Sequence, residues 1–274
     1  DTFYRYLPAF GLGKTTGIDL PGESAGLLIG SRYVKNVDLA RIGFGQSVAV
    51  TPLQLMMAAN ACINGGKVMK PYLVAEIHSA EGEVLQRTNP TVRSTPISTE
   101  TSDTMRELLE LVVTQGGGKN AAVPGYRIGG KTGTAQVYKD GKIARDVHIG
   151  SFYGFAPVED PQISVMVVVK EAQVPVDYGS TTAAPFAGEI LASALSYLNV
   201  PPSDPDVSYA EVTVPDITGL TISAARRTLA QEGLEMICDD VADTVLSQLP
   251  PAGASLVVGG HVMAYTAETE EVSP

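Results

Sequence analysis

Three features of the 274-residue sequence predict an α+β fold in two parts. Apolar residues recur at helical spacing in two capped segments. Three strand-like runs with short connections follow them. A proline-rich stretch then separates off a carboxy-terminal unit with its own pattern. Short connections join antiparallel strands, and helices in separate runs from strands argue for α+β rather than βαβ architecture. The expected layout is an antiparallel sheet with helices over residues 1–200, a linker at 201–211, a small unit of one helix and three strands at 212–267, and an acidic tail at 268–274.

The first helix starts at Thr51-Pro52, an N-cap followed by proline at the first helical position, and ends near Asn64-Gly65-Gly66. A strand pair is expected over residues 72–86 with its turn at Glu81-Gly82. Ser98 or Thr99 caps a second helix, with Met105, Leu108, Leu109, Val112 and Val113 as its apolar stripe, stopped by Gly116-Gly117-Gly118. Strands are expected at 128–137, 148–156 and 163–169, the last apolar enough to be covered on both faces. A closing helix at 184–198 offers Phe186, Ile190, Leu191, Leu195 and Leu198 to that sheet. Pro201-Pro202-Ser203-Asp204-Pro205-Asp206 reads as a linker. Beyond it we expect a short strand at 212–214, a helix capped by Thr221 or Ser223 and closed at Gly233, and strands near 241–249 and 257–265. Glu268-Thr269-Glu270-Glu271 reads as solvated tail.

With 44% hydrophobic and 18% charged residues, the chain can bury a real core. Its net charge of −11 disfavours nucleic acid, which is held by clustered Lys and Arg, and a polybasic membrane-surface patch. No apolar run approaches the roughly 18 residues that span a bilayer. The sequence opens at Asp1-Thr2-Phe3 without an initiator Met, and we expect a further segment before it. Cys62 and Cys238 read as free thiols or small core residues. His78, His148 and His261 have no partners at metal-ligand spacing, so neither zinc nor another cofactor is expected. Met56-Met57 reads as helix core, and Phe152, Tyr153 and Phe155 as core on one strand face and partner-facing on the other. Asp19 and Glu23 are explained by turn chemistry around Pro21-Gly22 rather than as catalytic acids.

The chemistry centres on Gly129-Gly130-Lys131-Thr132-Gly133-Thr134-Ala135-Gln136. Residues 125–132, GYRIGGKT, satisfy the nucleotide-binding pattern G-x-x-x-x-G-K-[ST]. That loop must join a strand to a helix whose amino end holds phosphates. Here Pro124 lies before it, and Gly133 with β-branched and Tyr residues follows, so the NTPase reading is rejected. Read as a strand, the segment puts Thr132 and Thr134 on one face and Lys131 on the other. Gly133 lets another backbone or a ligand approach. An edge strand can pair with an extended peptide, and a cation with hydroxyls nearby suits a carboxylate. A backbone N–H there can face a developing oxyanion.

The neighbouring phrases resemble class B penicillin-binding proteins. Phe10-Gly11-Leu12-Gly13 with Thr16-Gly17-Ile18-Asp19-Leu20-Pro21-Gly22-Glu23 is similar to the stretch after their second active-site motif. Ile42-Gly43-Phe44-Gly45-Gln46, Thr51-Pro52-Leu53-Gln54-Leu55 and Asn64-Gly65-Gly66 resemble their next block. Val123-Pro124-Gly125-Tyr126 and the Lys131-Thr132-Gly133 segment resemble their third-motif strand. Residues 212–267 resemble a PASTA module through Val214-Pro215-Asp216-Ile217-Thr218-Gly219-Leu220, residues 224–229, Gly233-Leu234, Gln248 and Pro251-Ala252-Gly253. Residues 213–267 carry two basic and six acidic groups, a net of −4, which disfavours an electrostatic grip on acidic wall polymers.

The resemblance implies a peptidoglycan D,D-transpeptidase of division or sporulation. It would cross-link stem peptides by acyl transfer, be inhibited by β-lactams, and act at the extracytoplasmic face of a bacterial membrane. Cell-wall polymer or division and sporulation proteins are further implied partners. Lys131 would support the serine of S-x-N and the substrate carboxylate; Thr132 and Thr134 would bind that carboxylate; the Thr134 N–H would supply half of the oxyanion hole; Gly133 would shape the strand. A loop at 138–147, with Lys139, Lys142 and Arg145, would rim the cleft. The family's S-x-x-K and S-x-N motifs are absent from the sequence. We therefore expect the nucleophile to lie upstream and these residues alone to be inactive. The alternative is a non-catalytic protein that senses β-lactams or the cell wall.

Overall fold

The computed structural model describes residues 2–43, 45–139, 142–172, 177–204, 211–238, 242–258 and 261–266. The acidic tail and part of the linker lie outside the described residues. The chain divides into two compact units, residues 1–122 with 127–188, and residues 123–126 with 189–274.

The first unit opens with α1 (Thr2–Ala9), and α2 (Asn36–Gly43) follows a long irregular stretch. α3 (Pro52–Ala61) begins where the sequence puts it. The Thr51 hydroxyl accepts from the Gln54 N–H, and the Gln54 side chain accepts from the Thr51 N–H, satisfying two orphan donors reciprocally. Gln54 is also buried, and its amide donates to the carbonyls of Lys14 at 2.6 Å and Ala25 at 3.0 Å. One side chain thus caps a helix and fastens the irregular segment before it.

β1 (Val68–Met69) pairs with β4 (Val92–Ser94), and between them β2 (Glu76–His78) and β3 (Val84–Arg87) form the expected hairpin. α4 (Thr99–Thr114) is capped by Ser98, whose hydroxyl accepts from the Thr101 N–H. It buries Ser102, Leu109 and Val113, whereas Leu108 is half exposed. The stripe passes through 102, 105, 109 and 113, which leaves 108 on its flank. Ser102 is buried because its hydroxyl donates to the Cys62 carbonyl and accepts from the Gly65 N–H, both at 3.0 Å.

β5 (Gly129–Lys139), β6 (Lys142–Ala156) and β7 (Ile163–Lys170) form an antiparallel sheet in the order β5-β6-β7. Three expectations change here. The strand enclosed on both faces is the central β6, and Phe152, Tyr153 and Phe155 are all buried rather than divided between a core face and an outward one. β7 is an edge strand among the described residues, and Val168 is 37% exposed. A run of apolar residues reports hydrophobicity but not position in the sheet order. The segment expected to be a cleft-rimming loop is instead the far end of the β5–β6 hairpin, with Tyr138 opposite Ile143 and Lys139 opposite Lys142.

α5 (Gly179–Thr182) leads into α6 (Ala184–Tyr197), within which the two units divide. α6 buries Ala184, Ala187, Leu191 and Leu195, while Phe186, Ile190 and Leu198 are 52%, 46% and 50% exposed. Close approach selects the small side chains. A Cβ added at Gly188 would stand 3.1 Å from the Ala121 backbone, so that side of the helix has no room for phenylalanine.

In the second unit Tyr126 donates to the Val200 carbonyl at 2.6 Å. β8 (Glu211–Thr213), α7 (Ile222–Gln231), β9 (Glu235–Cys238), β10 (Ser247–Leu249), β11 (Ser255–Val257) and β12 (His261–Tyr265) complete it. Thr221 caps α7. The three-stranded sheet is β10-β12-β9, and β8 pairs with β11 in a separate two-stranded ribbon. β9 and β11 are additional to the three strands expected here. Ile217, Leu229, Val245 and Val262 centre the core. Gln248 closes its irregular edge, accepting from the Ile217 N–H and donating to the Pro215 and Pro250 carbonyls.

Asp19 and Glu23 are acceptors for backbone N–H groups, and Asp19 reaches well beyond its own turn. Its two oxygens accept from Leu73 at 2.8 Å and Val74 at 2.9 Å. Those bonds, Val74's first, hold its carboxyl below the usual aspartate range. A carboxyl held low in the folded state contributes stability that is fully present above the unfolded pKa of about 4 and is lost as pH falls through the lower folded value. Asp19→Ala should therefore lower the thermal midpoint by a few degrees near neutral pH and by distinctly less near about pH 3, as read by circular-dichroism melts.

Candidate functional site

Residues 131–134 run along β5, whose only strand neighbour among the described residues is β6. Lys131 lies opposite Tyr153, Thr132 opposite Phe152, Gly133 opposite Ser151 and Thr134 opposite Gly150. Strand alternation therefore puts Lys131 and Gly133 on the Tyr153 face, and Thr132 and Thr134 on the Phe152 face. Lys131 and Thr134 are exposed, and Thr132 and Gly133 are half buried. The Lys131 ammonium donates to the Thr132 carbonyl at 2.7 Å. No helix follows the GYRIGGKT pattern, so its resemblance to a phosphate-binding loop is a coincidence of spelling.

The strand is held by near contacts on both faces. On one face α4 packs along β5, and Met105 and Leu109 join Cys62, Tyr153 and Phe155 in a single apolar cluster. Arg127 ties the entry of β5 to α4 by a two-pronged ion pair with Glu110, 2.7 and 2.6 Å. On the other face the Tyr178–Thr182 segment lies directly on the backbone. A Cβ on Gly179 would collide with the carbonyls of Ser151 and Gly133, so only glycine permits that contact. The Gly179 N–H points to the Thr134 hydroxyl at 3.4 Å.

A cleft of about 240 Å³ opens on the Tyr153 face, lined by Leu55, Cys62, Met105, Lys131, Tyr153 and Met166 among others. Lys131 is its one charged lining residue, at the rim of an apolar and sulfur-rich floor. Burial pushes the Cys62 thiol up and the Tyr153 phenol far above its ordinary value, so both stay protonated near neutral pH. The Tyr153 hydroxyl donates to the Asn60 side chain at 2.7 Å. Neither group serves as a base or nucleophile.

Sequence reasoning missed the group that anchors the second face. Asp177 is buried and accepts from His148 twice, from its backbone N–H at 2.7 Å and its ring Nδ1 at 2.8 Å. The His148 ring first, and then its N–H, hold the Asp177 carboxyl below the usual range against the opposing effect of burial. His148 thus has a carboxylate partner twenty-nine residues away, which no local spacing could signal. Among the described residues no cluster of His, Cys, Asp and Glu could hold a metal. No described helix is long and apolar enough to cross a membrane.

The penicillin binding protein transpeptidase domain matches residues 1–192, and the PASTA domain matches residues 212–265. The chain belongs to the penicillin-binding protein transpeptidase family. It is 37% identical to Stage V sporulation protein D of Bacillus subtilis over 279 aligned residues, covering 99% of this chain and 43% of that protein. It is 35% identical to penicillin-binding protein PbpB of Mycolicibacterium smegmatis, covering 73% of this chain and 32% of the relative. The chain thus spans less than half the length of these penicillin-binding relatives. Among solved structures, penicillin binding protein 3 of Mycobacterium tuberculosis in its apo form superposes with a TM-score of 0.68 at 30% identity, over 75% of this chain and 48% of that one. The same protein complexed with ampicillin superposes with a TM-score of 0.67 at 31% identity, over 75% of this chain and 48% of that one. The α+β class and the PASTA unit are therefore those of the family.

The glycine contact yields a direct test of this penicillin-binding fold. Gly179→Ala should destabilise the first unit by about 2–3 kcal/mol, because the added methyl meets two carbonyls that the sheet holds in place. Urea titration of the chain reads the change. Gly219→Ala in the second unit, where a Cβ meets nothing but φ is +76°, should act only through backbone strain and cost less.

Proposed function

We propose that this chain is the substrate-strand part of a serine-type peptidoglycan D,D-transpeptidase. The observation that carries the reading is the course of Lys131-Thr132-Gly133-Thr134 along a strand with one open border, beside a cleft rimmed by Lys131. Family membership and the ampicillin-bound relative support it. The reaction would be acyl transfer. A serine attacks the carbonyl of a terminal D-Ala-D-Ala, the last D-Ala leaves as the amine, and a second stem peptide's amine takes the acyl group from the serine.

The nucleophile in this proposal lies outside these 274 residues, because none of the serines within them stands in an S-x-x-K or S-x-N context. Lys131 would exchange its bond to the Thr132 carbonyl for one to the ligand, supporting the S-x-N serine and the substrate carboxylate. Thr132 and Thr134 would donate to that carboxylate. The Thr134 N–H would face the developing oxyanion, where a fixed dipole is worth most in a site drained of water. Gly133 keeps the strand surface flat beside Ser151. β-Lactams would enter by the same route, their ring carboxylate standing in for that of the peptide.

We take residues 1–200 as the carboxy-terminal part of the transpeptidase domain, 201–211 as the linker and 212–267 as the PASTA unit. The intact protein would work at the extracytoplasmic face of the membrane, where its polymer substrate lies. The PASTA unit, with a net charge of −4 over residues 213–267, is read as an appended module rather than a cationic wall anchor.

A D-Ala-D-Ala stem peptide with an added acceptor amine separates the enzyme from a β-lactam sensor. The intact protein should release D-Ala and form the acceptor adduct, as mass spectrometry of the products reports; stoichiometric acylation by penicillin with no turnover of the stem peptide supports the sensor instead. Lys131→Ala in the intact protein should slow acylation by about 100-fold or more, a loss of roughly 3 kcal/mol of transition-state stabilisation. Near-normal acylation by that variant would contradict the assignment. The 274-residue chain alone should gain no covalent penicillin mass.

A further inference from the structure

The pair Asp177–His148 lies outside the Lys131–Thr134 tetrapeptide yet governs what rests on it. His148 sits on β6 opposite Gln136, two residues beyond Thr134 along β5. Both carboxylate oxygens of the buried Asp177 are committed to His148. Immediately after Asp177 the chain turns down onto the sheet. Tyr178 sets its ring edge-on to the His148 ring at 5.6 Å, and the Thr182 hydroxyl donates back to the Tyr178 carbonyl at 2.9 Å. Gly150 beneath has no space for a side chain, because the Thr182 hydroxyl, the Asp177 carbonyl and the Gly179 nitrogen occupy it. Position 179 is thus fixed by one doubly hydrogen-bonded anchor and by backbone packing against Gly133, Gly150 and Ser151.

That position decides the chemistry of one hydroxyl. A threonine hydroxyl has two acceptor sites and one donor proton. The Gly179 N–H lies 3.4 Å from Thr134 Oγ1 and occupies an acceptor site, which leaves the Thr134 proton free to donate outward. A contact this long weakens steeply with any outward movement of the segment.

We propose that Asp177 and His148 are positioning residues for Thr134: by holding Gly179 against β5 they keep the Thr134 hydroxyl poised as a donor to a ligand carboxylate. The inference rests on the reading of β5 as the ligand strand. The device is geometric. Both Asp177 oxygens accept from His148, and a carboxylate left free so near a carboxylate site would repel the ligand rather than recruit it.

The geometry also says which substitution should rescue it. In Asp177→Asn the amide oxygen can accept the His148 N–H, and the amide nitrogen can donate to Nδ1 once the ring proton moves to Nε2. Asp177→Ala can make neither bond.

Two measurements test the proposal. In the intact protein, penicillin acylation followed against drug concentration separates the apparent dissociation constant from the limiting rate constant. Asp177→Ala should raise the dissociation constant about tenfold and leave the limiting rate within about twofold, as expected for lost binding shared by ground and transition states. Asp177→Asn should lie within about threefold of the wild type in both constants. In the 274-residue chain, amide exchange over residues 178–182 should quicken by about tenfold or more in Asp177→Ala, with α4 unchanged. Wild-type affinity in the Ala variant, an Asn variant as impaired as Ala, or a loss confined to the limiting rate would each overturn the proposal. An intact wild-type protein that never acylates sinks the transpeptidase reading and the ligand half of this one. Unchanged exchange in Asp177→Ala separately sinks the anchor.

Discussion

The closeness with which other groups approach the β5–β6 pair is the constraint on which the first unit depends. Phe152 and Phe155 reach across β5 on its two faces, where Gly130 and Gly129 have no side chain, and a Cβ at either would run into those rings. Gly179 makes the same allowance from the opposite partner, resting on the carbonyls of Ser151 and Gly133. The glycines therefore let the rings of β6 lie across β5 and let the Tyr178–Thr182 segment rest on the strand pair. A ligand strand must keep its register to within a fraction of an ångström for its donors to meet a carboxylate and an oxyanion. Close packing supplies that stiffness without any contribution from the residues that would touch the ligand.

A second theme is the use of side chains to satisfy backbone groups that no regular element satisfies. Between α1 and α3 the chain is largely irregular, and a buried irregular backbone needs partners for its N–H and C=O groups. Gln54 takes the Lys14 and Ala25 carbonyls, Arg93 the Thr15 and Thr16 carbonyls at 2.9 and 2.7 Å, and Glu23 the Thr16 and Gly17 N–H groups. Ser102 does the same between α4 and the end of α3, joining Cys62 to Gly65. In the second unit Gln248 serves the Pro-rich turns. Most of these anchors link residues tens of positions apart. They hold a glycine-rich coil in a defined course against α3 and β4.

The electrostatics of the candidate site follow from the same economy of placement. The chain is strongly acidic overall, and two acids packed beside β5 are paired, Glu110 with Arg127 and Asp177 with His148. Lys131 stands at the rim of an apolar floor, bonded only to its own strand among the interactions described for it. A cation at an apolar cleft is the natural first contact for an incoming carboxylate. Burial keeps the Cys62 and Tyr153 protons in place, so the cleft floor presents packing surface rather than a competing nucleophile.

Much of this was legible in the amino-acid order, and for local reasons. Thr51-Pro52 with Gln54, Ser98 and Thr221 announce helix starts because caps act within three residues. The β5–β6–β7 meander is legible because its strands are long and their connections short, and family phrases spread over the chain carry its membership. Tertiary packing alone decided which apolar stripe of α6 turned inward, since Ala184 and Ala187 prevail over Phe186 and Ile190 only where a neighbour stands too close for a ring. It decided that β6 rather than β7 is enclosed, because sheet order is a relation between strands and not a property of one. The bond between His148 and Asp177 belongs to the same class. Local chemistry is written in neighbouring residues, whereas closeness and pairing across the fold exist only once the chain has closed upon itself.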